Sequence, residues 1–254
     1  MAYGVFAEFY DGLTQNVDYC QKADFLVELF KKYSHKPECV LDLACGTGTL
    51  TLEMKKRGFD IFGADGSFEM LAQAKRKADE EQLDVMFLCQ KMQSLELYGM
   101  IDTCICTLDS ISHLQGKKQV TEAFDRVSHF MEDGGLFVFD VNTIYKHREI
   151  LGNNTFVYDT DDVFCVWQNT FNDKENSVKI ELDFFIPEEN VYVRSSESFK
   201  EYAYSADDIT EMLARCGFKV EAIFDEMTFE HPHEKSQRLT FVGRKAENAP
   251  GDRV

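Results

Sequence analysis

The run V-L-D-L-A-C-G-T-G-T-L at residues 40–50 sets an acidic residue, Asp42, in a short apolar stretch and follows it with Gly46 and Gly48 at alternate positions. A helix-like pattern then begins. Strand, tight loop and helix N-terminus, in that order, make a ligand cradle. Small residues let a ligand approach the backbone, and unpaired N–H groups point at it. Asp65 closes the next apolar run, where a carboxylate can grip both hydroxyls of a ribose. Asp109 follows a later run, and His113 lies on the same polar turn. One carboxylate at a strand end is usually a cap or a turn residue. Asp42, Asp65 and Asp109 around one glycine loop point to a nucleotide-like ligand. The glycine run is not a dinucleotide fingerprint, because Thr51 stands where Gly or Ala must let helix and strand close on a pyrophosphate. Asp42 would be an awkward neighbour for pyrophosphate and suits a cationic ligand better.

A sheet must bring these residues together. Apolar periodicity predicts strands at 39–43, 60–64, 85–89, 101–106 and 136–141, with helices at 47–57, 68–81 and 119–131 between them. Ser67 is placed to cap the second of these helices. The alternation argues for an α/β fold with a doubly wound, mostly parallel sheet. At Asn142 the pattern changes. Strand-like stretches at 155–159, 163–171, 178–186 and 191–201, separated by polar turns, form an inserted antiparallel β-meander. V-K-I-E-L-D-F at 178–184 alternates apolar and polar, so one face is buried and the other wet. A helical pattern returns at 205–215, and 219–224 and 239–244 complete a seven-stranded sheet. An amphipathic helix at 24–33 and the aromatics Tyr3, Phe6, Phe9, Tyr10 and Tyr19 form an N-terminal lid across the mouth of the main domain. The expected division is a lid at 1–35, a ligand-binding Rossmann-like domain at 36–142 and 203–246, an inserted β subdomain at 143–202, and a loose tail at 247–254.

Composition bounds the function. At 254 residues, 44% hydrophobic and 28% charged, the chain can bury a sizeable core. A net charge of -18 repels bare phosphate backbone and argues against nucleic acid as a partner. The 8 cysteines sit mostly in apolar runs and form no C-x-x-C, which predicts buried, reduced thiols rather than disulfides or a zinc site. His231 and His233 flank a proline without a third ligand and read as a surface turn, so no metal is expected. The N-terminus has no basic region before an apolar segment, and no run approaches the ~20 apolar residues of a membrane helix, so a cytoplasmic location is expected.

The residues also carry a resemblance. The run at 40–50, with G-A-D-G-S-F-E-M-L at 63–71, resembles the first motifs of class I methyltransferases that use S-adenosylmethionine. The similarity continues through C-Q-K-M-Q-S-L-E-L at 89–97, D-T-C-I-C-T-L-D-S-I-S-H-L at 102–114 and G-G-L-F-V-F-D-V-N-T at 134–143, and more weakly over 203–245. The start, F-A-E-F-Y-D-G-L at 6–13 followed by V-D-Y at 17–19, resembles bacterial small-molecule members that carry an inserted β-meander. The resemblance implies S-adenosyl-L-methionine as cofactor and assigns positions to it. Asp42 and the 44–48 backbone, with Ala44, Gly46 and Gly48, would hold the methionine end. Asp65 would bind the ribose, while Gly66, Ser67 and Phe68 would pack near the adenine, and Met92 and Gln93 would meet its edge. Residues 106–109, Leu108 included, would line the floor beneath the sulfonium, and Tyr10 and Tyr19 would close over the methionine portion. Family members often carry an acidic residue before the methionine at position 92; this chain has Lys91.

In-line displacement of a methyl group needs alignment and exclusion of water more than it needs a base. Asp109 and His113 are the candidate catalytic residues, should the nucleophile have to lose a proton. The acceptor is expected to be a small molecule with a nitrogen or oxygen nucleophile, under the meander. Trp167, Phe184 and Tyr192 on its inward face suggest an apolar or aromatic acceptor. Two other readings stay open. One is a sensor or partner subunit that binds the cofactor without methylating, which the lack of a clear base and Lys91 support. The other is a nicotinamide-dependent oxidoreductase, against which Thr51 counts.

Overall fold

The structure, a computed structural model, describes residues 4–247. Tyr3 of the aromatic stretch and residues 248–254 of the expected tail lie outside the described residues. The chain runs α1 (Gly4–Leu13), α2 (Tyr19–Lys32), β1 (Val40–Leu43), α3 (Thr49–Lys56), β2 (Ile61–Asp65), α4 (Phe68–Glu80), β3 (Phe87–Cys89), β4 (Ile101–Cys106), α5 (Gly116–Phe130) and β5 (Met131–Asn142). It continues through β6 (Thr155–Asp159), β7 (Phe164–Asn172), β8 (Ser177–Glu188), β9 (Val191–Tyr202), α6 (Ala206–Arg215), β10 (Phe218–Asp225) and β11 (Arg238–Lys245).

Among the described residues the larger sheet has 7 strands in the order β10-β11-β5-β4-β1-β2-β3. β11 runs antiparallel to both neighbours, and the remaining pairings are parallel. β1 is buried along its whole length, as a central parallel strand covered on both faces must be. Val40 pairs with Ile61 on one side and Thr103 on the other. The chain winds outward in opposite directions from β1 and β4, so their carboxyl ends open a crevice.

Two elements begin five residues earlier than periodicity alone indicates. α2 starts at Tyr19, because the Asp18 carboxylate caps it by accepting from the Gln21 N–H at 2.9 Å. β5 starts at Met131, which pairs with Ile101 before a register shift that brings Leu136 opposite Thr103.

The smaller sheet, β6-β7-β8-β9, is the expected antiparallel meander. Its buried face carries Cys165, Ile180, Leu182, Phe184 and Phe199, and these pack on Phe6, Ala7, Phe9 and Leu13 of α1. The Glu197 carboxylate on β9 accepts from the backbone N–H groups of Val5 and Phe6, at 2.8 and 3.0 Å. A carboxylate from the inserted sheet therefore caps α1, and four apolar side chains of α1 lie in the insert's core. The aromatics of the insert are spent there. Trp167 and Phe184 pack around Phe6, and Tyr192 is 68% exposed on the β8–β9 hairpin. The expectation that these three rings face an acceptor is corrected: two fill the α1–insert core and the third faces water.

All 8 cysteines are free thiols; Cys20 and Cys89 are exposed, which corrects the expectation of general burial. No helix among the described residues is long and apolar enough to cross a membrane.

Candidate active site

A cavity of about 300 Å³ opens at the carboxyl ends of β1, β2 and β4. The wall includes Tyr10, Tyr19, Asp42, Ala44, Gly46, Asp65, Gly66, Ser67, Met92, Gln93, Leu108 and His113, all named from sequence. Lys91 is in the wall as well. Four residues named with them, Gly48, Phe68, Cys106 and Asp109, are not. Gly48 lies behind the wall at the start of α3 with φ +74, and a Cβ there would stand 2.8 Å from the Ala74 Cβ. Its smallness serves the contact of α3 with α4, which corrects its assignment as a cofactor contact. Phe68, the first residue of α4, is 71% exposed and outside the wall.

The β1 and β2 ends supply carboxylates that have no cationic partner at contact distance among the described residues. Asp42 is 2% exposed, and its Oδ2 accepts from the Thr51 hydroxyl at 2.5 Å. The threonine that spoils a dinucleotide motif thus satisfies the buried acid. Burial pushes the Asp42 carboxyl up to about 7; the Thr51 hydroxyl opposes the rise and the Asp65 charge adds to it. Asp65 accepts from the Ser67 N–H at 2.8 Å and the Gly46 N–H at 2.9 Å, tying the two ligand loops together. Burial raises its carboxyl above the ordinary range against these N–H groups. Two desolvated acids side by side call for a ligand that brings positive charge and hydroxyl donors. The ammonium and sulfonium of S-adenosylmethionine and its ribose diol have that character, so this donor set fits the cofactor.

α1 and α2 close the cavity with Tyr10 and Tyr19. Burial raises both phenols, Tyr19 to about 12, so each is a neutral hydroxyl. Asp11 pins α1 to the glycine loop. Its carboxylate accepts from Thr47 and Lys77, each at 2.6 Å, and Lys77 also reaches the Thr49 hydroxyl at 2.6 Å.

The remaining wall is the turn after β4, where Leu108 and Asp109 both adopt left-handed backbone, with φ 60 and φ 63. Their N–H groups donate to the two oxygens of Asp140 on β5, at 3.0 and 2.7 Å. The Asp109 carboxylate turns from the cavity to Arg238, 2.5 Å away. Burial alone would raise this carboxyl, but Arg238 and Lys146 outweigh it and hold the group below its ordinary value. A carboxylate locked to a guanidinium is a poor proton acceptor, so Asp109 is corrected from catalytic candidate to structural ion pair. Cys106 is fully buried and likewise outside the wall, while Thr107, Leu108 and Ser110 line it. His113 faces the cavity. Burial pushes its imidazole down to about 4 against the pull of Asp109, so it is neutral near pH 7. The insert, 143–202, contributes no side chain to this wall among the described residues and backs it instead.

Comparison with known proteins settles the family. Residues 40–135 match the family model described as a methyltransferase domain. A putative methyltransferase of Geobacillus sp. (strain WCH70) is 32% identical over 96% of this chain and 100% of its own length. A crystal structure of an S-adenosylmethionine-dependent methyltransferase from Clostridium acetobutylicum ATCC 824 has a TM-score of 0.86, 32% identity, and coverage of 96% of this chain and 99% of that one. The chain belongs to the S-adenosylmethionine-dependent methyltransferases. Its cofactor is S-adenosyl-L-methionine, and the nicotinamide reading falls with that result. A dTDP-3-amino-3,6-dideoxy-alpha-D-glucopyranose N,N-dimethyltransferase of Streptomyces fradiae is 30% identical over 53% of this chain and 52% of its own length.

Several site-forming residues carry no local signal in the sequence. Asp140, Arg238 and Asp11 act through partners that only the folded chain brings near. Asp140 ends an apolar run as Asp42 and Asp65 do, and that shared position is the one cue that could have found it.

Proposed function

We propose that this enzyme methylates a nitrogen or oxygen of a small-molecule acceptor that enters between the Tyr10–Tyr19 lid and His113. The observation that carries this reading is the position of His113. Among the described residues it is the one imidazole of the cavity wall, neutral near pH 7, and it stands on the turn after β4 while the acids Asp42 and Asp65 stand on β1 and β2. S-adenosylmethionine, when bound, supplies an electrophilic methyl on a cationic sulfur. The residues of the chain then have three tasks. Asp42 and Asp65, with the N–H groups of the glycine loop, orient the cofactor. Tyr10 and Tyr19 exclude water and keep their protons. His113 accepts a hydrogen bond from the acceptor's N–H or O–H, which aligns its lone pair, and takes the proton once the new bond has formed. A neutral imidazole does this without repelling the sulfonium, whereas an imidazolium would repel it.

The lid supports a small acceptor. α1 is pinned by Asp11 to the glycine loop and by Glu197 to the insert, which holds Tyr10 in the cavity wall. The net charge of -18 opposes RNA. The half-length match to an aminosugar N,N-dimethyltransferase makes amines the first acceptors to try.

The test is incubation with methyl-labelled S-adenosylmethionine and a panel of aminosugars, amino acids, other small amines and phenols. Transfer to a small acceptor, lowered about 10²-fold or more in His113→Ala, is expected. Transfer to RNA or protein alone would contradict the reading.

A further inference from the structure

The inserted sheet gives the cavity no wall residue, yet its last strand places a carboxyl directly behind one. Glu201, the penultimate residue of β9, has a side chain only 9% exposed. Its Oε1 lies 4.0 Å from His113 Nε2, and its Oε2 lies 3.7 Å from His147 Nε2. The Asn142 amide donates to Oε2 at 3.4 Å, and Lys146 holds that amide's oxygen at 2.8 Å. His147 is fully buried in a π-helical turn, Lys146–Leu151, that follows β5. Phe199, two residues before Glu201, packs its ring 5.3 Å from that of His113. One carboxyl thus sits between imidazoles from two elements, at the junction where the insert returns to the main domain.

We propose that Glu201 is a positioning residue for methyl transfer, holding His113 in one orientation and one tautomer at the acceptor side, so that the inserted sheet completes the active site through this carboxyl. The proposal rests on the reading of His113 given above. It explains why a sheet that lines none of the cavity is joined to it here by a buried polar group, when an apolar side chain would fill the same space at lower desolvation cost. The separations of 4.0 and 3.7 Å are those of an open site, where such contacts are long and tighten once the ligands are in place.

The surroundings set the proton inventory. Glu201 is faced by Asp109 and His113 from the turn after β4, by Asn142 from β5, by Lys146 and His147 from the turn beyond it, and by Arg238 from β11. Burial, reinforced by the Asp109 charge, pushes its carboxyl up to about 8 against Lys146 and Arg238. Burial lowers His147 to about 4, as it does His113. Near pH 7 the cluster is a protonated carboxyl between two neutral imidazoles. In that state the one carboxyl proton, on Oε2, goes to His147 Nε2, and Oε1 accepts from His113 Nε2–H as the contacts tighten, which leaves His113 Nδ1 without hydrogen and able to serve the acceptor.

The experiment is NMR of the full chain with 13C- and 15N-labelled histidine, titrated with pH in the presence of S-adenosylhomocysteine. His113→Gln and His147→Gln spectra assign the two rings. In the wild type both rings should report one shared inflection near pH 8, from the neighbouring carboxyl. Glu201→Gln should remove that inflection from both rings, change the His113 nitrogen shifts that report its tautomer, and lower turnover about 10-fold or more while cofactor affinity stays within about twofold. A folded Glu201→Gln protein with the His113 shifts and turnover unchanged would overturn the proposal. Should that variant not fold, His147→Gln decides: it leaves Glu201 with one imidazole, and a shifted His113 inflection supports the proposal while an unmoved one overturns it. Full turnover in His113→Gln would overturn the reading of His113 itself, an outcome separate from failure at Glu201.

Discussion

The Asp109 carboxylate and the Arg238 guanidinium lie 2.5 Å apart, joining the turn after β4 to the first residue of β11. The pair belongs to a longer chain of buried charge. Arg238 lies 3.8 Å from Asp140, and Asp140 lies 3.6 Å from Lys22 on α2. Asp140 also receives the N–H groups of Leu108 and Asp109. This network therefore sets the left-handed turn that forms one wall of the cavity and ties it to the N-terminal lid.

Removing Arg238 would leave Asp109 buried without its counter-ion. Arg238→Met is expected to cost about 3–5 kcal/mol in chemical denaturation at pH 7, far more than an exposed ion pair. The acid side follows from the depressed Asp109 carboxyl. Its stabilisation is present above the unfolded value of about 3.9 and is lost as pH falls through the lower folded value. The wild type should thus lose this increment only below about pH 4, and Arg238→Met should show no corresponding loss.

Asp42 has the opposite sign. Its folded carboxyl is raised to about 7, so it contributes stability below the unfolded value that is lost as pH rises to about 7. A cationic ligand favours the carboxylate and should expel the proton. Cofactor binding near pH 6 is expected to release up to about one proton, read by calorimetry in buffers of different ionisation enthalpy. Asp42→Asn should abolish that release, weaken binding, and remove the decline in free-protein stability toward pH 7. Proton release unchanged in Asp42→Asn would contradict the assignment.

Gly48 separates packing from contact. A methyl group there meets the Ala74 Cβ at 2.8 Å in a backbone conformation of φ +74. Gly48→Ala is expected to destabilise the protein by about 1–3 kcal/mol, measured by urea denaturation, as the α3–α4 contact is forced apart. Gly46 has left-handed backbone too, but open space around its Cβ position, so Gly46→Ala carries the backbone cost without the clash.

The larger sheet was legible in sequence because its strands alternate with helices and its buried β1 reads as an apolar run interrupted only by Asp42. The meander was legible because 178–184 alternates strictly, as a half-wet strand must. The cradle was legible for a similar reason: Asp42, Gly46 and Asp65 act through their own loops, within a few residues of a strand end. Long-range partnerships were not. Glu197 caps α1 from the far side of the chain, and Asp109 meets Arg238 only when β11 inserts beside β5. Nothing local distinguishes a strand-end aspartate that grips a ligand from one that grips an arginine. Trp167 and Phe184 show the same limit for aromatics, since an inward ring says nothing about whether a ligand or a helix fills the space before it.

The measurement that bears most directly on the cofactor cradle is isothermal titration of the wild type and Asp65→Ala with S-adenosylmethionine and S-adenosylhomocysteine. Asp65 joins the Gly46 and Ser67 loops, and we propose that its carboxylate takes the ribose diol. Micromolar binding of both ligands to the wild type is expected, with affinity lowered about 10²-fold in a folded Asp65→Ala protein, the loss of two charge-assisted hydrogen bonds. Equal affinity in wild type and variant would place the cofactor elsewhere and contradict the site.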